Sequence, residues 1–160
     1  MKRVLLVCTG NTCRSSMAEA FLKKALEERP GDEEILVSSA GLGAIEGDPA
    51  SMEAIEAMKE LGMDISGHRA RRVAPDLVRD SDLILTMTER HKGAILQSHP
   101  EAEGKVFTLK EFAYGMDVPG RDIEDPFGGT LETYRKCARE IAEAAEKAAT
   151  RLRGRAQAQA

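Results

Sequence analysis

The sequence predicts an α/β domain with a mostly parallel sheet covered by helices on both faces, and three observations carry that reading. Short apolar-rich runs of the kind that form buried strands recur at 4–7, 35–39 and 83–87, the first of them unbroken. Each is followed by a turn and then by apolar residues at helical spacing. The 160 residues fit one compact core that needs neither metal nor disulfide to bury most of its apolar surface.

In order, Val4–Val7 reads as a central strand bounded by a Gly-Asn turn, and Met17–Glu28 as a helix packing Met17, Ala20, Phe21 and Ala25. Arg29-Pro30-Gly31-Asp32 breaks that helix, and Ile35–Ser39 forms a second strand ending in Ala40-Gly41 and a Gly-rich loop. Asp48-Pro49 has the form of an N-cap and an N1 proline, predicting a helix through Ala54, Ile55, Met58 and Leu61 that Gly62 closes. Leu83–Met87 is the third strand, Thr88-Glu89 opens a helix that Pro100 ends, and Val106–Leu109 is a shorter fourth strand. A turn-rich loop over 118–129 leads into a long last helix with Leu131, Tyr134, Ala138, Ile141, Ala145, Ala148 and Leu152 on one stripe. Residues 1–154 form the expected domain, and 155–160 a frayed, disordered tail.

Net charge is −4 with both signs well represented, which excludes an overall basic field for nucleic acid. Three cysteines are too sparse and odd a set for a secreted disulfide scaffold, so a reducing, cytoplasmic setting is expected. The apolar run after Met1-Lys2-Arg3 is too short for a signal peptide, and no stretch has the length of a membrane span.

Parallel sheets place their sites beyond the carboxyl ends of the strands, where Cys8, Ser39, Met87, Thr88 and the Asp125 loop should converge. Cys8-Thr9-Gly10-Asn11-Thr12-Cys13-Arg14-Ser15 reads as a phosphate cradle with a thiol at its base, its amides and one guanidinium aimed at a single spot. A thiol at a helix start beside an arginine ionises more readily than a free one. Arg14 offers two parallel donors to two phosphoryl oxygens, and Ser15 can donate to the sulfur as it departs. Displacement onto sulfur also needs an acid for the leaving atom and then a base for water. Asp125, stiffened by Pro126, is the first choice for both turns, with Asp122 and Glu124 as alternatives and turn capping as the plain reading of all three.

Other residues carry weaker signals. Cys8 and Cys13 lack the further ligands of a metal site, and Arg14 stands where a nucleotide-binding P-loop requires lysine. Cys137 reads as a helix-face residue, and His91 and His99 as solvated flanks of a surface helix. His68 has either a turn role or the orientation of a serine near the cradle, and Arg69, Arg71 and Arg72 form either a solvated face or a local attraction for anions.

The cradle, the following Met17-Ala18-Glu19-Ala20 and the distal Asp125-Pro126-Phe127 together resemble the low-molecular-weight protein tyrosine phosphatase family, over nearly the whole chain. The resemblance implies a four-stranded parallel sheet and no metal or organic cofactor. It implies Cys8 as nucleophile, Arg14 as phosphate ligand and Asp125 as acid then base, with Asn11, Ser15, Ser39 and His68 holding the loop. Thr12, where tyrosine-directed members carry a bulky aliphatic residue, and Phe127-Gly128, where they carry two aromatics, are similar to the bacterial protein-arginine phosphatases. The expected partners are phosphorylated proteins, met by a monomer without nucleic acid or membrane. Phosphotyrosine hydrolysis is the alternative. A thioredoxin-linked arsenate reductase would need a later cysteine pair, absent from 80–95, and a non-catalytic phospho-binding module would need neither thiol nor acid. Cys13 sits near enough in sequence to resolve an oxidised Cys8 as a disulfide.

Overall fold

The computed structural model describes residues 1–158, with side chains through Gly154. Four strands form one parallel sheet: β1 (Lys2–Cys8), β2 (Ile35–Gly41), β3 (Leu83–Thr86) and β4 (Val106–Thr108), in the order β2-β1-β3-β4. Because β1 is central, its side chains are buried on both faces. Val4, Leu6 and Cys8 join a core with α1 (Arg14–Glu27), α2 (Met52–Glu60), α5 (Leu109–Tyr114) and α6 (Leu131–Ala158). Leu5 and Val7 join a smaller one beneath α3 (Pro75–Asp80) and α4 (Glu89–Ser98). Burying each such leucine contributes about 1.5–3 kcal/mol, which is why an unbroken apolar run, rather than alternation, marks this strand.

The chain leaves β1 through α1 toward β2, then returns across β1 to β3, so the strand order reverses between β1 and β3. In open parallel sheets the crevice at that reversal is the usual ligand position. Cys8 ends β1 at this point.

Several elements differ from the sequence expectation. Helix α2 starts at Met52, with Ser51 as its N-cap accepting from Ala54 N, rather than at Asp48-Pro49. The Asp-Pro segment is drawn out as edge backbone: Asp48 O accepts from Ala70 N, and Pro49 bridges to Arg69. Helix α1 begins three residues before Met17, and β4 gives way at Leu109 to α5, whose capping box joins Thr108 and Glu111. Helix α3, opened by Pro75 at N1, also went unread. Helix α6 continues through 155–158, four positions assigned to the frayed tail, and the tail's last two residues lie outside the described ones. Among the described residues no helix is long and apolar enough to cross a membrane.

Candidate active site

The cradle is held from within. Cys8 is 3% exposed, and its sulfur accepts from Asn11 N at 3.2 Å and lies 2.8 Å from Ser15 Oγ. Asn11 takes a left-handed backbone, φ 58°, which asparagine tolerates better than most residues. Its buried side chain then uses every polar atom: Nδ2 donates to Ser15 Oγ at 2.8 Å and Ser39 Oγ at 2.9 Å, and Oδ1 accepts from Arg71 N at 3.0 Å. His68 Nε2 donates to the Asn11 carbonyl at 2.6 Å, so it braces the loop backbone and not a serine. Gly41 lies so close that a β-carbon there would sit 2.5 Å from the Thr9 carbonyl oxygen and 2.9 Å from Asn11 N.

Behind this layer are residues that sequence reasoning missed. Glu19 accepts from Ser39 Oγ at 2.6 Å, and Arg71 reaches the Ser39 carbonyl through Nε at 3.0 Å. Arg71 is therefore part of the brace, while Arg69 bonds carbonyls of its own turn and Arg72 N bonds Glu46. Cys13 is buried against Ser51 Oγ at 3.4 Å and Tyr134 Oη at 3.5 Å. Burial raises the Tyr134 phenol's pKa, so it remains protonated. All three cysteines are free thiols.

Helix α1 opens at Arg14, and no side chain caps its first turn, so its leading amides remain for an anion in the cradle. Arg14 is 4% exposed; its guanidinium donates to the Ile123 carbonyl at 2.8 Å and lies 3.5 Å from Asp125 Oδ2. The structure thus separates the three acidic residues of the distal loop. Asp125 faces Arg14, with its other oxygen accepting from Phe127 N. Asp122 accepts from Glu89 N at 2.8 Å, in the first turn of α4 that Thr88 caps, and the Glu124 carbonyl faces the Cys137 thiol at 3.8 Å. Burial pushes that thiol up to about 12, an unreactive neutral group behind the loop.

The loop is tied down further by Ile123 N to the Met87 carbonyl and by Arg121 to Glu89 and Glu111. Burial alone would raise the Glu111 carboxyl, but bonds from Thr108 N and Lys92 and the Arg121 charge bring its pKa below the usual value.

His91 corrects the sequence reading most sharply. It is 5% exposed, packed under the cradle with Nε2 2.9 Å from Thr9 Oγ1. Burial, reinforced by the Arg14 charge, lowers its pKa to about 4, so it is neutral at physiological pH. His99, half-buried beside Glu101, has no part in the site.

The result is a cavity of about 210 Å³ lined by Cys8, Thr9, Gly10, Thr12, Cys13, Arg14, Asp125 and Phe127. A thiol at its base, amides and a guanidinium around it and one carboxylate at its mouth are the parts that phosphoryl transfer to a cysteine requires.

Residues 3–158 match the family of low molecular weight phosphotyrosine protein phosphatases, and the chain belongs to that family. It is 42% identical over 150 residues to the protein-arginine-phosphatase of Geobacillus stearothermophilus, covering 94% of this chain and 95% of that one. It is 44% identical over 127 residues, 79% of each chain, to the probable low molecular weight protein-tyrosine-phosphatase EpsP of Ralstonia solanacearum. Among solved structures, a serine-for-cysteine mutant of the YwlE arginine phosphatase with a phosphorylated active-site serine superposes with a TM-score of 0.87, at 35% identity and covering 94% of this chain and 95% of that one. The protein is a protein phosphatase.

Proposed function

We propose that this phosphatase hydrolyses phosphoarginine side chains of proteins, in the cytoplasm, through a phosphocysteine intermediate. In the first step the Cys8 thiolate attacks phosphorus and the P–N bond breaks, while Asp125 gives its proton to the departing guanidine nitrogen. Loop amides and Arg14 hold the three non-bridging oxygens as charge shifts toward them. In the second, Asp125 takes a proton from water, the water oxygen bonds phosphorus, and the P–S bond breaks to return the thiolate. Ser15, 2.8 Å from the sulfur, donates to it as it leaves. The phosphorylated serine in the YwlE mutant supports a covalent intermediate at this position.

The observation that carries the substrate assignment is the cavity wall. Thr12 gives it a hydroxyl, and Phe127, 76% exposed, is the only aromatic residue lining it among the described residues. The next position, Gly128, has φ +81°, where an aromatic side chain would be strained. A phosphotyrosine ring is best held between apolar walls, whereas a guanidinium, which carries only donors, uses the polar one. The tyrosine reading retains support from the EpsP relative.

Rates on matched phosphoarginine and phosphotyrosine peptides test the assignment. The parent should favour phosphoarginine, and Thr12→Ile should move the ratio toward phosphotyrosine by tenfold or more. A parent preference for phosphotyrosine, or a ratio unmoved by the substitution, contradicts it.

A further inference from the structure

Two cavities meet at the cradle. Beside the catalytic one lies a second, of about 470 Å³, that shares Thr9, Arg14 and Asp125 with it and reaches Arg90, His91 and Asp122 on the α4 side. Thr9 is therefore the loop residue that stands between them, exposed, with its hydroxyl on the buried His91. The other imidazole nitrogen, Nδ1, is buried without a partner among the described residues. An orphaned N–H in that place would cost more than an orphaned lone pair, so the ring's proton belongs on Nε2. Nε2–H then donates, and Thr9 Oγ1 accepts. A hydroxyl has one proton and two lone pairs; with one lone pair occupied by His91, the rest of its capacity is free for a ligand.

We propose that Thr9 is a specificity-determining residue of the catalytic cavity and His91 its positioning residue: the imidazole fixes the hydroxyl so that its second lone pair accepts an N–H of the substrate guanidinium. The proposal rests on the phosphoarginine reading and deepens it. A guanidinium carries only donors and gains a charge-assisted bond from a fixed acceptor. An aryl phosphate brings no N–H to this wall and gains nothing from it. Because the imidazole is neutral above about pH 4, it adds no charge to repel the guanidinium. Thr9 and Thr12 would then act together, two hydroxyls of one loop lining one pocket.

The test measures kcat/KM on phosphoarginine and phosphotyrosine peptides of the same flanking sequence for the parent, Thr9→Val, His91→Leu and His91→Gln. Thr9→Val and His91→Leu should each lower the phosphoarginine-to-phosphotyrosine ratio about tenfold, the scale of one hydrogen bond to a charged group. Their combination should lower it no further than either alone. His91→Gln, which returns an N–H near the position of Nε2, should recover most of the ratio. Equal losses on both substrates, or a glutamine variant no better than leucine, would overturn the proposal. Thr9 is exposed, so Thr9→Val decides the matter even where His91→Leu fails to fold. A parent that prefers phosphotyrosine overturns the substrate reading and this inference together. A parent that prefers phosphoarginine, with a ratio that no variant moves, overturns this inference alone.

Discussion

The two loops that form the site are built on opposite plans. The cradle is preorganised: its one strained residue, Asn11, is bonded through every side-chain polar atom, and its neighbours Ser15, Ser39, Glu19 and His68 are bonded in turn. The acid loop hangs on a few tethers at Arg14, Met87 and the start of α4, and the Asp125 side chain is 49% exposed at the mouth. The difference follows from what each must do. A nucleophile and the donors around it gain most from fixed geometry, since nothing has to reorganise as charge develops. In the proposed mechanism the acid gives a proton to a leaving group, then receives one from water after that group has gone, so it needs access from the cleft.

That contrast can be broken by substitution. The largest effect is expected from Cys8→Ser, which keeps the cradle's shape but removes the nucleophile; phosphate release from p-nitrophenyl phosphate should fall by a factor on the order of 10⁴ or more. Release that survives the change would place the chemistry elsewhere. Asn11→Ala comes next, because it leaves the Arg71 amide and two buried hydroxyls without their partner. It should cost about 2–3 kcal/mol of stability and lower kcat 10- to 100-fold, read by denaturant unfolding and steady-state rates. On the acid side, Asp122→Ala removes the bond to Glu89 N at the start of α4, where Thr88 remains the N-cap, and with it one tether, and should cost only about 1 kcal/mol with a several-fold fall in kcat. A loss as large as that of Asn11→Ala would erase the distinction between the loops.

A further effect lies in pH. His91 is neutral when folded, with a pKa lowered to about 4 by burial and then by Arg14, opposed by the charges of Asp122 and Asp125. The unfolded chain takes up a proton there near pH 6.5, so stability is full above that value and declines as pH falls toward 4. Thermal unfolding of the parent between pH 7 and 4.5 should show this decline, and His91→Gln should show less of it.

How much of this was legible in the sequence follows from how local each feature is. Cradle chemistry is confined to Cys8–Ser15, so residue types and spacing were enough to mark the thiol and the arginine as candidates, while Asn11's bracing came from the family resemblance and its left-handed backbone only from the structure. The unbroken apolar run at 4–7 and the apolar-rich run at 83–87 likewise announced buried strands, and the helical stripe from Tyr134 to Leu152 lies on the core as expected. Asp125 was the first choice from the proline that follows it, but that it meets Arg14 while Asp122 meets the α4 terminus, partners 111 and 33 residues away in the chain, was not legible. His91 was misread as solvated because its burial comes from α4 packing under Thr9, a contact across 82 residues that no local pattern encodes. Asp48-Pro49 carries a genuine helix-start signal, overridden by pairing with the strand-like segment at Arg69 and Ala70. Tyr134 was legible as core, but its hydroxyl's place beside Cys13 was not.

The most direct measurement of the division between the loops uses Asp125→Asn with p-nitrophenyl phosphate, whose leaving group departs without an acid. The first step should then outrun the second, giving a burst of nitrophenolate of about one equivalent and a phosphate on Cys8 detectable by mass spectrometry after rapid quench. A burst absent at every enzyme concentration, or a phosphate found on any residue but Cys8, would contradict the assignment of one loop to attack and the other to proton transfer.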